Sequence, residues 1–153
     1  EAVRSAYRSI LAGAQVYMAG ANVHGVAIQR MAPAGTEVIL GSIDDPSFGP
    51  TVMFGLGGIF VEILKDVTFR VAPVSSTQAE RMMAEIQGAP ILAGARGEAP
   101  RDREALAHAI MAYSRMILDL EDDIAESDAN PIFVYEKGKG LAVVDARIIL
   151  KAK

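Results

Sequence analysis

Apolar residues along the first eighteen positions recur at helical spacing. Val3, Ala6, Tyr7, Ile10, Leu11, Ala14 and Val16 fall on one stripe, which predicts an amphipathic helix over residues 2–18 that Gly20 ends. The period then shortens. Gly25–Met31 and Glu37–Ser42 are short runs separated by Ala32-Pro33-Ala34-Gly35, and they predict two strands joined as a hairpin. A second turn is expected over 44–50, before a short apolar strand, Thr51–Phe54. Gly55-Leu56-Gly57-Gly58 predicts a flexible loop, with an apolar run at Ile59–Leu64 and a strand at Val67–Val71 after it. Thr77 has Glu80 three residues on, the spacing of a capping box, so a helix is expected over 77–87 with Gly88 closing it. Asp102 is placed to cap a long helix with Leu106, Ile110, Tyr113, Met116, Ile117 and Leu120 on one stripe. A hairpin, Pro131–Glu136 and Leu141–Ile149 around Gly138-Lys139-Gly140, ends the chain. Helices stand apart from runs of consecutive strands, so the fold class is α+β, a mostly antiparallel sheet with packed helices.

Composition narrows the function. With 153 residues, 51% hydrophobic and 22% charged, the chain suits one domain with a packed core. A net charge of −4 with no basic run excludes the footprint of a nucleic-acid binder. The absence of cysteine removes disulfides, thiolate nucleophiles and Cys-based zinc sites, and is compatible with a cytoplasmic location. No apolar run has the roughly 18 residues of a membrane span, and Glu1-Ala2-Val3-Arg4 does not resemble a signal peptide. Opening without Met inside a helix, the sequence is expected to be a piece of a longer protein.

The chemistry concentrates near the end, in Asp128-Ala129-Asn130-Pro131 and Val144-Asp145-Ala146-Arg147. A hairpin centred between Gly138 and Lys139 sets Asn130 opposite Arg147, with Asp145 diagonally across on the same face. An amide and a carboxylate converging there suit magnesium, which takes one or two protein oxygens and completes its shell with waters and phosphates. The same residues also read as a plain turn before a strand, with Asp145 paired to Arg147 or Lys137 at the surface.

At this hairpin the sequence resembles the ATP-grasp subunit of ADP-forming acetyl-CoA synthetases, relatives of succinyl-CoA synthetase. Further matches precede it: Gly25-Val26 with Gln29 and Met31, Gly35 with Glu37-Val38-Ile39, and Asp45-Pro46 with Phe48-Gly49-Pro50. The last of these, running on through Met53-Phe54-Gly55-Leu56-Gly57-Gly58, is the most specific match, and Val61-Glu62 and Lys65-Asp66-Val67 with Phe69-Arg70 and Ala72-Pro73 continue it. The resemblance spans roughly residues 22–148, in order and spacing.

The resemblance implies the C-terminal half of an ATP-grasp domain, its N-terminal subdomain missing from residues 1–153. It implies that Asn130 and Asp145 hold a magnesium ion bridging ATP or ADP phosphates, with Asp128 near the ion or its waters. Where relatives often carry apolar residues, this chain has Ser127 and Ala129. Gln29, Arg30 and Met31 match a hinge strand facing adenine, Glu37 an acid that accepts ribose hydroxyls, and Gly55, Gly57 and Gly58 a loop bordering phosphate transfer. The loop has its own rationale, since bare backbone N–H groups approach an anion closely; the bland reading is a tight connection. Arg70 could clamp a phosphoryl oxygen and Glu62 orient a partner group, or both could form surface ion pairs with Lys65 and Asp66. His24 and His108 match no motif and are expected to be structural or exposed. The implied reaction is formation of acyl-CoA from a free acid and CoA with ATP going to ADP and phosphate, by way of a phosphohistidine on another domain. CoA is expected on other domains or subunits of an oligomeric enzyme, and the isolated chain is expected to fold without turning over. The competing expectation is a non-catalytic nucleotide-sensing or interaction module in a multidomain protein, for example one fused to an acetyltransferase.

Overall fold

A run of five buried positions, Val38 to Ser42, lies within the strand Thr36–Asp45 (β1), and both edges of that strand are occupied. The computed structural model describes residues 1–58, 61 and 63–152, and for Arg96 the backbone alone. β1 pairs antiparallel with Gly49–Leu56 (β2) on one side and with Ile124–Val134 (β4) on the other. Val67–Val71 (β3) extends the sheet beyond β2, while Leu141–Val143 (β5) and Ala146–Leu150 (β6) both pair with the far edge of β4. The β1–β2 turn follows from its aspartate. Asp45 Oδ1 accepts the amides of Ser47 at 2.8 Å and Phe48 at 3.0 Å, and Gly49 takes the left-handed φ of 73° that closes the reversal.

Three helices follow the sheet's first half in sequence: Ser76–Glu85 (α2), the short Ala89–Leu92 (α3) and Arg103–Asp119 (α4). Alternation along the strands sends Val38, Leu40, Val52, Phe54, Ile132 and Val134 to one face of the sheet, where they form one core with Met82, Met83, Leu106 and Ile110 of the helices. Phe54, Met82, Met83, Leu106 and Ile110 are fully buried, each burial stabilising by about 1.5–3 kcal/mol relative to exposure. The opposite face bears Ile43, Phe69 and Val71, each about half exposed. Two buried aspartates fasten the loops around this core. Asp66 accepts the amides of Gln87 at 2.7 Å and Gly88 at 2.8 Å, tying the approach to β3 to the end of α2. Asp102 caps α4 by accepting Ala105 N at 3.1 Å, and its second oxygen accepts Gly140 N at 2.8 Å from the β4–β5 turn.

The chain divides into two compact units, Glu1–Met31 and Ala32–Lys153. The first holds Ala2–Tyr17 (α1), which forms as the periodicity predicts, and none of its residues is buried. Residues 21–35 carry no regular structure, so the expected strand Gly25–Met31 and its hairpin with Glu37–Ser42 are not present. Within the second unit the reason is plain: β2 and β4 already saturate both edges of the strand that was to be the hairpin's other arm. The helix after Pro73 begins two residues earlier than its capping signal suggests. Ser75 accepts from Gln78 N at 3.3 Å, and Gln78 Oε1 accepts from Ser75 N at 2.8 Å, a capping box that displaces Thr77 and Glu80. Glu80 instead accepts from Arg103 at 2.8 Å. β4 begins at Ile124 rather than Pro131, so Asp128 and Asn130 lie inside a strand. Of the run Ile59–Leu64, Ile59, Phe60 and Glu62 lie outside the described residues.

Asp66→Ala removes the acceptor of two enclosed amides and is expected to cost about 2–4 kcal/mol, read from the denaturant midpoint. Hydrogen bonds from Gly140 and then Ala105 hold the Asp102 carboxyl below the ordinary range. A lowered folded pKa gives stability that is present above the unfolded pKa and lost as pH falls through the folded one. Asp102→Ala is therefore expected to lower the thermal midpoint at neutral pH, with the gap to wild type closing below about pH 4.

Candidate functional site

The face opposite the core collects the polar residues of β4. Ser127 and Ala129 are buried on the helix side, so Glu126, Asp128 and Asn130 point the other way. A bulge sharpens this. Val38 pairs with Ile132 and Leu40 with Ala129, so Asn130 and Pro131 together stand opposite Ile39, and Asn130 is exposed.

Across β4 the register differs from expectation by two residues. Asp128 pairs with Arg147 and Ala129 with Ala146, and Asn130 N donates to Asp145 O at 3.0 Å. Asn130 thus faces Asp145 directly, and Arg147 faces Asp128. The turn is centred between Lys137 and Gly138, with Gly138 and Gly140 at φ 81° and 73°. A shift of two preserves the face of every side chain, whereas a shift of one would have reversed it.

Asp145 is exposed, and its Oδ1 accepts Ala146 N at 2.8 Å, leaving Oδ2 without a hydrogen bond among the described residues. Asn130 makes no side-chain hydrogen bond among them. One pair along, Arg147 donates from Nη2 to Glu126 at 2.6 Å and from Nε to Asp128 at 3.3 Å. No group of three His, Cys, Asp or Glu able to enclose a metal is found among the described residues. The donor set is instead an amide oxygen, a facing carboxylate and a second carboxylate beside them. It fits magnesium, which keeps most of its shell for water and phosphate, and does not fit an all-protein cage. Gly41, Met53, Phe69 and Asp128 contribute to a groove of about 140 Å³ on the same face.

Other expected residues are placed unevenly. Glu37, Gly57 and Gly58 come together. Gly57 N donates to Glu37 O at 2.8 Å, and a Cβ on Gly57 would lie 2.9 Å from Glu37 Cβ. That amide is therefore committed to the backbone, and of the two glycines only Gly58, at φ 60°, keeps its amide out of this contact. Gly55 has a packing reason: a Cβ there would lie 2.8 Å from both Asp66 O and Val67 Cγ1. Arg70 is on the wrong side for a phosphate clamp. It pairs with buried Val52, and its Nη2 donates to both oxygens of Glu85 at 2.6 Å, while Phe69 takes the open face. That hydrogen bond holds the Glu85 carboxyl below its usual range. Gln29, Arg30 and Met31 are exposed within the unit Glu1–Met31. Glu62 lies outside the described residues.

Two features escaped the sequence. Ser127 shares a 2.7 Å hydrogen bond with Ser42 and a 2.6 Å one with Tyr113. Burial raises the Tyr113 pKa, so this hydroxyl stays protonated and bridges α4 to β4 behind Asp128. Glu126 extends the acidic face and pairs with Arg147; the alternation of Glu126, Asp128 and Asn130 was the available signal.

The antiparallel sheet backed by helices agrees with the expected fold class, and the ATP-grasp domain family model matches residues 1–150. The chain belongs to that family. It is 52% identical over 151 residues to the beta subunit of acetate–CoA ligase (ADP-forming) II of Pyrococcus furiosus, covering 99% of this chain and 64% of the relative. The beta subunit of that organism's ligase I is 55% identical over 150 residues, covering 98% of this chain and 63% of the relative. A solved structure of acetyl-coenzyme A synthetase 1 from Ca. Korarchaeum cryptofilum, in complex with coenzyme A and Mg-AMPPCP, superposes with a TM-score of 0.84 at 46% identity, covering 97% of this chain and 63% of that one. The chain thus spans just under two thirds of the length of these relatives.

Gly55→Ala is expected to destabilise by about 1–3 kcal/mol through overpacking against β3, seen as a lower urea midpoint.

Proposed function

We propose that this chain forms the metal- and phosphate-facing wall of the nucleotide cleft in an ADP-forming acid–CoA ligase. The carrying observation is Asn130 directly opposite Asp145 on the open face, with Asp128 one pair along. The overall reaction joins a free acid to CoA while ATP goes to ADP and phosphate. In this reading Asn130 and Asp145 hold magnesium through oxygen, and Asp128 contacts it or its waters. When bound, the ion screens the charge of the nucleotide phosphates. Glu37 accepts ribose hydroxyls and Gly58 borders the phosphates. Likeness to a synthetase solved with Mg-AMPPCP supports this assignment.

The remaining machinery belongs to other parts of a larger assembly: the facing ATP-grasp subdomain, the CoA-binding domain or subunit, and the phosphohistidine. Residues 1–153 alone would not turn over. Among the described residues no helix is long and apolar enough to cross a membrane, and a reaction drawing on ATP and CoA is proposed to run in the cytoplasm.

In the complete ligase, Asn130→Ala and Asp145→Ala are each expected to weaken magnesium-dependent binding of a non-hydrolysable ATP analogue by about tenfold or more. Calorimetric titration with and without magnesium measures this, and unchanged affinity in both variants would overturn the assignment.

A further inference from the structure

The phosphoryl group that leaves ATP carries charge needing a fixed cationic donor in the transition state. The structure withdraws Arg70 from that role and brings another arginine to the required face. Arg147 stands opposite Asp128 on the open side, and the next pair on that face is Asn130 with Asp145. Successive same-face pairs along a ladder are about 7 Å apart, a span an arginine side chain covers by rotating. Its side chain is 62% exposed, so most of it is free of packing.

The hydrogen bonds of Arg147 favour release. Nη2 donates to Glu126 at 2.6 Å, and Nε makes a longer bond of 3.3 Å to Asp128. Nη1 has no partner among the described residues, and a guanidinium has five donors in a planar fork that suits phosphate oxygens. Exposed ion pairs of this kind are weak, so a more highly charged anion held one pair along competes well for the guanidinium. Departure of Arg147 also frees the Asp128 carboxylate to turn to the neighbouring metal position.

We infer that Arg147 is a phosphate-binding catalytic residue, parked on Glu126 and Asp128 and transferred to the phosphoryl oxygens when the metal nucleotide binds. This rests on the reading of Asn130 and Asp145 as the metal pair. The test uses the complete ligase. Arg147→Ala is expected to retain binding of Mg-AMPPCP within about threefold and to lose about 100-fold or more in kcat, the loss typical of removing one charge-stabilising donor. Arg147→Lys, which keeps the charge without the fork, should fall between that variant and wild type. Added guanidinium ions should restore part of the Arg147→Ala turnover, which a purely structural ion pair would not allow. An Arg147→Ala enzyme with kcat within threefold of wild type, or with lost turnover that guanidinium does not restore, overturns the inference. Asp145→Ala run in parallel separates the two readings. If that variant loses metal-dependent binding while Arg147→Ala keeps wild-type turnover, only this inference fails; if both leave binding and turnover intact, the metal assignment fails with it.

Discussion

The alternation of side chains along β4 is the constraint on which the rest depends. One strand has to satisfy two environments. Ser127, Ala129, Ile132 and Val134 are buried, while Asn130 is exposed and Asp128 partly so. Period two makes both possible, because neighbours in sequence are on opposite sides of the sheet. A deletion of one residue in the β4–β5 turn would send Asp145 and Arg147 toward the helices, where an unpaired charge is costly. The burial of the core thereby enforces the placement of the oxygen donors on the open side.

That constraint also explains which parts of the structure could be read from residues alone. The helices Ala2–Tyr17 and Arg103–Asp119 and the strand Val67–Val71 were legible, because each carries an uninterrupted period. The outward grouping of Asn130 with Asp145 was legible despite a misplaced turn centre, since an even error in register leaves facing unchanged. The N-terminal part of β4 was not. Glu126 through Asn130 looks like a loop by composition, and only its pairing with β1 and β6 makes it a strand. The hairpin at Gly25–Met31 failed for the complementary reason, since local propensity says nothing about whether a partner edge is vacant. Arg70 shows the limit most clearly. Its spacing from Glu62 suggested a charged cluster, but its face is decided by pairing with Val52, a long-range fact.

The hydroxyl cluster gives Ser127 a directional role. An apolar side chain there would pack against α4 by contact alone. Serine instead joins Ser42 on β1 and Tyr113 on α4, and Tyr113 also donates to the Ser127 carbonyl at 3.0 Å. Three elements are thus linked by directional bonds immediately behind Asp128. Buried hydroxyls are costly when unpaired and specifying when paired, so this cluster fixes the geometry of β4 directly beneath Asp128.

The open face itself is poorly suited to strong electrostatics as it stands. Asn130 and Asp145 are exposed, and unit charges about 4 Å apart in bulk water interact by only about 1 kcal/mol, against about 4 kcal/mol at an effective dielectric near 20. Ile43, Phe69 and Val71 are about half exposed on the same face, apolar surface beside the acids. Covering that face would bury the apolar side chains and lower the dielectric around the carboxylates in one step. A divalent ion and its phosphates would then be held far more firmly by the same two oxygens. The exposed ion pairs of Arg147 with Glu126 and Asp128 are weakened by the same solvent, and would strengthen together with the carboxylate field if that face were covered.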